Sequence, residues 1–335
     1  MIEPPRRQNY HARLAASLAP PLPMLDFCLY LLYRAGLGIL RLFPLAWVFS
    51  LGELGGLLAR LLSPKYRRLA RHNLEIAFGA EKSPREISRL TRRHFRRLGA
   101  NLLSSVKVGT MPLAAVDARV TLENANFMHE ALRAGRGVVV VLNHLGNWEL
   151  FAQIFSRHFD YTRLSTVFQA LSNRLIDADV RRLRARSGVQ LFDRRDGFQA
   201  AIELLRGGGL VAVLADQHAG DHGLWTPFFG RLASTTPLPA VLAKRTGAAV
   251  ISGAIFTSGR GRWRMVFTPI FDTKNASIPA LTAEANRVIA GQISQAPEDW
   301  FWVHNRWKTP RPNFLLPKYK RGVYLPPESI LKPFR

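Results

Sequence analysis

Two hydrophobic textures divide the chain. Residues 24–62 are apolar almost throughout, interrupted by charge only at Asp26, Arg34, Arg41, Glu53 and Arg60. These interruptions leave no clean stretch of the ~20 uncharged residues that a spanning helix needs. Arg34 and Arg41 share one helical face and can reach toward headgroups while Leu, Phe and Trp sink. The segment predicts an interfacial helical anchor. A single tilted span is the alternative, and a helical pair packed on a soluble core is the third outcome. Lys65, Arg67, Arg68 and Arg71 follow at once and would sit near anionic lipid. Arg6, Arg7 and Arg13 precede it without an apolar core and small-residue cleavage site, so a cleavable signal peptide is not expected.

Ser83-Pro84-Arg85-Glu86 opens a helix, with Ser as cap, Pro at the first position and Glu three residues after the cap. That helix carries Arg85, Arg89, Arg92, Arg93, Arg96 and Arg97, an anion-facing surface or a solvated one. From about residue 120 the texture changes to short apolar runs alternating with helical stretches, the pattern of an α/β sheet. Residues 137–142 and 209–214 read as buried strands, each running into a polar cluster, His144 to Glu149 and Asp216-Gln217. Leu150 to His158 reads as a helix, and Thr235-Thr236-Pro237 as the cap of another that stops at Gly247. Residues 248–256 and 263–271 pair around a Gly259-Arg260-Gly261 turn, which makes the sheet mixed at this edge. The expected fold is α/β, a mixed central sheet flanked by helices with an N-terminal membrane-associated helical region. The expected division is 1–62 for the membrane segment and 63–335 for the catalytic domain.

Charge narrows the partners. The chain has 335 residues, 47% hydrophobic, enough for a buried core; 47 Lys+Arg against 23 Asp+Glu leave a formal +24. That field attracts nucleic acid, anionic lipid headgroups or acidic proteins. The closing segment Trp300, Trp302, His304, Arg306, Trp307, Lys308 has the composition of a nucleic-acid surface, but no reading module accompanies it. Trp beside Arg is equally membrane-interface or core chemistry. Nucleic acid is therefore not expected as a partner. A basic nucleic-acid- or membrane-surface-binding protein without catalysis is the alternative from another class. Cys28, the single cysteine, excludes an internal disulfide and fits a reducing compartment.

In open α/β sheets, ligands gather at the carboxyl ends of the strands, where both polar clusters lie. His144 comes directly off a strand, and Gly146 permits a tight turn into the next helix. Glu149, in that helix's first turn, can reach back to the imidazole, fixing its tautomer and leaving the other nitrogen to take a proton from a hydroxyl. This segment contains no serine or cysteine nucleophile, so direct attack by the acceptor's hydroxyl is the simplest chemistry. Asp216, His218, Asp221 and His222 have metal-ligand chemistry, but Ala219-Gly220 and Gly223 make the stretch a loop, and no metal is expected.

Asn143-His144-Leu-Gly-Asn-Trp-Glu149 resembles the H-x-x-x-x-(D/E) block of the glycerolipid acyltransferase superfamily, and more specifically the late acyltransferases of bacterial lipid A biosynthesis. Arg67 to Phe78 is similar to that family's basic region after the N-terminal helix. Leu214-Ala-Asp-Gln217, Pro227-Phe-Phe-Gly230 and Thr235-Thr236 resemble its second block, and Pro297 to Lys308 its closing signature. The resemblance implies an O-acyltransferase on the cytoplasmic face of the inner membrane, using acyl-carrier protein as donor and an anionic lipid as acceptor, without metal or redox cofactor. It implies His144 as base, Glu149 as its partner, and Asn143, Gly146, Asn147, Asp216 and Gln217 near the substrates. Members often carry Val-Tyr-Arg-Pro where this chain has Val167-Phe168-Gln169-Ala170. A Gln cannot replace the guanidinium as a phosphate clamp, so Arg163, Arg194 or Arg195 takes that work or the acceptor differs. The F-P-E-G-T-R-type block of lysophosphatidate acyltransferases is absent.

Overall fold

A computed structural model describes residues 24–159, 164–168, 171–193, 197–221, 223–270 and 275–308. Among the described residues four helices come first: α1 (Met24–Leu42), α2 (Leu45–Leu62), α3 (Pro64–Phe78) and α4 (Pro84–Val108). Prolines set the breaks, because a residue without an N–H is tolerated only at or before a helix's first turn: Pro44 caps α2, and Pro64 and Pro84 open α3 and α4. The predicted capping box forms. Glu86 N donates to Ser83 Oγ at 3.4 Å, and Ser83 N donates to Glu86 Oε2 at 2.8 Å.

The α/β region follows as α5 (Leu113–Asp117), β1 (Val120–Glu123), α6 (Asn126–Arg133), β2 (Val138–Leu142), α7 (Leu150–His158), β3 (Leu164–Phe168), α8 (Arg174–Ala185), β4 (Gln190–Asp193), α9 (Gly197–Arg206) and β5 (Leu210–Leu214). A small hairpin, β6 (Leu224–Phe228) and β7 (Arg231–Thr235), leads to α10 (Leu238–Thr246), β8 (Ala249–Gly259), β9 (Arg262–Ile270) and α11 (Ile278–Gln295); a single 3-10 turn spans Pro297–Asp299. The main sheet has the order β1-β9-β8-β2-β5-β3-β4, and β6-β7 stand apart. Every neighbour pair in the main sheet is parallel except β8–β9, which is antiparallel, so the sheet is mixed as the sequence predicts.

β2 is central and shows why its sequence is β-branched without alternation. Val139 and Val141 face one core, while Val138, Val140 and Leu142 face the other, so both faces of the strand are covered. α2 joins the second core through Leu45 and Phe49. Packing is therefore continuous across residue 62, and α2 shares a core with the α/β region.

Candidate active site

β2 and β5 run side by side with Leu142 opposite Leu214, so the segments leaving their carboxyl ends emerge together. Ala215 N extends the ladder by one bond to Leu142 O at 3.0 Å. His144 leaves β2 and Asp216 leaves β5, and they meet: His144 Nδ1 lies 2.7 Å from Asp216 Oδ1, and the His144 backbone N donates to Oδ2 at 2.7 Å. Trp300 Nε1 donates to the same Oδ2 at 2.7 Å.

Burial alone would push the Asp216 carboxyl up, but the adjoining imidazole and the donors around it override this and hold it down at about 2. An ionised carboxylate can only accept, so Nδ1 carries a proton, and in the neutral ring Nε2 is the nitrogen left as acceptor. The Gln217 side-chain amide lies 3.3 Å from that Nε2.

Glu149 does not take the role expected of it. Both its oxygens accept from Arg184, from Nε at 2.9 Å and Nη2 at 2.6 Å, and no hydrogen bond joins it to His144. The chain turns sharply at Gly146, whose φ is +59° and whose hypothetical Cβ would sit 2.2 Å from Ile255 O. That turn starts α7 toward α8, while the His144 ring faces β5.

His144 and Gln217 stand at the rim of a cavity of about 360 Å³, which Glu149, Arg184 and His218 also line. Below the rim it runs along the sheet under α7, between Val140, Phe151, Phe155, Val189, Leu210 and Ala212. From Leu214 at the end of β5 to Leu210 at its start is about 13 Å at the usual strand rise. A polar end that carries His144, above a mainly apolar lining that also includes Ser165 and Thr166, suits an extended hydrocarbon chain with a polar group at its end.

Comparison with known proteins gives the family. The family model described as bacterial lipid A biosynthesis acyltransferase matches residues 18–309. The chain belongs to that family. It is 27% identical to the lipid A biosynthesis palmitoleoyltransferase of Escherichia coli (strain K12) over 286 residues, 84% of this chain and 92% of the relative. It is 25% identical to the lipid A biosynthesis lauroyltransferase of the same strain over 297 residues, 87% and 95% of the two chains. A phosphatidylinositol mannoside acyltransferase of Mycobacterium tuberculosis (strain ATCC 25618 / H37Rv) is 29% identical over 184 residues, 53% of this chain and 56% of the relative.

This acyltransferase is thus an enzyme that transfers acyl groups, and its blocks have separable structural work. Asn143, Gly146 and Asn147, expected beside substrate, are fully enclosed and face protein instead. Asn143 Nδ2 donates to Gln292 Oε1 at 2.8 Å, Asn147 Oδ1 accepts from Ser105 Oγ at 2.7 Å, and Gly146 N donates to Asp299 O at 3.0 Å. These bonds tie the loop that carries His144 to α4, α11 and the closing turn, although Asn143 Oδ1 and Asn147 Nδ2 stay without a partner.

The closing signature braces the site from behind. Besides Trp300 on Asp216, the buried Arg306 reaches Ser234 O, Thr235 Oγ1 (2.7 Å) and Gln217 O (3.4 Å), and its guanidinium sits 4.8 Å over the Phe228 ring. Desolvation pulls its pKa down to about 10, leaving it protonated near neutrality. His304 Nε2 accepts from His218 N at 2.9 Å. Burial, first among its causes, depresses His304 to about 4, so that ring is neutral near pH 7.

Arg184 has no motif around it that marks it for the site. Trp300 falls within the closing signature, but its bond to Asp216 has no signal in the local sequence. Arg163, Gln169, Arg194, Arg195 and His222 lie outside the described residues.

Proposed function

We propose that the enzyme moves a fatty acyl chain from acyl-carrier protein to a hydroxyl of a lipid A precursor or similar anionic glycolipid at the cytoplasmic face of the inner membrane. His144 acts as general base, and Asp216 is the carboxylate that orients it. The observation that carries this reading is the His144–Asp216 pair at the mouth of the apolar shaft. The acyl chain lies in the shaft with its thioester carbonyl at the rim. The acceptor hydroxyl gives its proton to His144 Nε2 as its oxygen attacks that carbonyl. Asp216 stabilises the imidazolium that forms. When the tetrahedral intermediate collapses, the carbon–sulfur bond breaks and the imidazolium returns the proton to the departing thiolate, so ester and free thiol are the products. The step as written needs no metal or redox cofactor.

Glu149 fixes Arg184 at the rim, and a cation there suits a phosphorylated acceptor. Arg163, Arg194 and Arg195 remain proposed donors to the acceptor's phosphates. A second reading, a phospholipid or other glycolipid as acceptor, is favoured by Gln169 in place of the Arg that the resemblance leads one to expect.

Mass spectrometry of total membrane lipids decides between acceptors. Cells with the wild-type chain should carry one acyl mass more, in one lipid class, than cells with His144→Ala, whose turnover should fall about 10²- to 10⁴-fold. A phospholipid as the changing class would select the second reading. An unchanged product in the His144→Ala cells would remove His144 from the mechanism.

A further inference from the structure

All but three of the exposed large apolar side chains among the described residues fall between Met24 and Tyr66. Soluble surfaces do not gather apolar area in this way without a partner. On α2 the two faces separate cleanly. Leu45, Val48, Phe49, Gly52 and Gly56 are buried, while Trp47, Leu51, Leu54, Leu58 and Leu61 project outward. By length and composition α2 is also the one described helix able to cross a bilayer.

Its packing forbids that. A Cβ at Gly56 would lie 1.9 Å from Phe95 O, and one at Gly52 would lie 2.5 Å from Gly99 O and 2.7 Å from Ala100 Cα. α2 is therefore in backbone contact with α4 and antiparallel to it. Arg96 pairs with Glu53 across the seam at 3.1 Å, and Lys107 Nζ donates to Arg41 O at 2.9 Å just before α2 begins. The second half of α2 thus lies beside the part of α4 that exposes Arg89, Arg92, Arg93 and Arg96. Sinking α2 through hydrocarbon would drag those arginines in with it, each at high cost. α1 is held down separately: Arg34 pairs with Asp179 at 3.2 Å, and Asn173 Nδ2 donates to Asp26 O at 2.8 Å.

We infer that α1 and α2 lie in the plane of one leaflet of an anionic bilayer, outward stripes immersed, and that neither crosses it. The bilayer is the occupant because Arg60, Lys65 and Arg68 flank the stripe, which suits acidic headgroups and would repel their own images in a second copy. Since α8 carries both Asp179 and Arg184, the cavity rim is tied to the docked helix α1. The acceptor can then reach His144 from lipid. This deepens the membrane location proposed above, and its test needs no acyl transfer.

Single cysteines are introduced into the full-length Cys28→Ser chain as Trp47→Cys, Leu51→Cys, Leu54→Cys, Leu58→Cys or Leu61→Cys. Each is spin-labelled and bound to phosphatidylethanolamine–phosphatidylglycerol vesicles. In-plane docking gives the five labels one shared depth, about 5–10 Å below the headgroup boundary. A crossing helix would put label 54 near the midplane and separate labels 47 and 61 in depth by about 20 Å, overturning the inference. Labels that stay out of the bilayer, or couple to one another between copies, would overturn it as well. In the unlabelled chain, Leu54→Glu should lower vesicle flotation about tenfold without moving the thermal midpoint; full binding by that variant would also refute immersion. Acyl transfer assayed in parallel can fail while the depth profile holds, so the two readings fall separately.

Discussion

Val138–Leu142 and Leu45–Leu62 are both strongly apolar, yet the fold treats them oppositely. β2 is covered on both faces by two cores, whereas α2 buries one stripe on α4 and leaves the other open. Hydrophobicity marks the wish to leave water, and the number of closed faces says where the segment goes. β2 has neighbouring strands and helices on both sides, and its rigid end can aim a catalytic loop. α2 packs one stripe, mainly on α4, and its other face is left exposed.

The sharpest way to break the contrast is to swap the rules at adjacent positions of α2. Gly56→Ala places a methyl against the Phe95 carbonyl and should cost about 1–3 kcal/mol by forcing the helices apart. A midpoint unchanged in chemical denaturation would mean that the α2–α4 seam is loose.

Acid should act more mildly, and on the buried side only. Burial lowers both His94 and His304 to about 4, while unfolded histidines protonate near 6.5. Between those values the unfolded chain binds more protons, so these two groups lose stability as pH falls from 6.5 to 4. Asp299 works against them. Its burial raises it to about 6 from 3.8, so the fold gains from that group as pH falls through the same range. Two groups against one predict a thermal midpoint several degrees lower at pH 4.5 than at pH 7. A midpoint that rises would assign the balance to Asp299. Asp216 enters only below about pH 4, where protonating it removes the stability that its depressed pKa supplies.

The smallest effect belongs to the open face. Leu58→Ser should shift folding stability in detergent-free solution by no more than about 0.5 kcal/mol. A larger loss would show that protein covers that stripe.

The sequence texture made much of this legible. The β2 and β5 strands, the α7 helix, the β8–β9 hairpin and the Ser83 capping box all fall where local pattern and turn chemistry put them, because each depends on neighbours in sequence. The short strands β1, β3 and β4 and the β6–β7 hairpin were not separable from loops, since a few residues carry too little periodicity. At the site, His144 and Asp216 were each legible as strand-end residues. Their partnership was not, because it depends on β2 and β5 being neighbours, and strand order is not written in local pattern. Glu149 looked like the partner only because it is near in sequence. The turn at Gly146 sends it to Arg184 instead.

The central claim is that Asp216, far from His144 in sequence, orients the base. Steady-state acyl transfer by purified Asp216→Asn and Glu149→Gln, compared with wild type over a range of pH, tests it most directly. Asp216→Asn should lower kcat by about 10²- to 10⁴-fold with the fold intact, because an amide neither fixes the Nδ1–H tautomer nor stabilises the imidazolium. Glu149→Gln should lower it far less, through the displaced Arg184. The reverse order, with Glu149→Gln nearly inactive and Asp216→Asn close to wild type, would contradict the account.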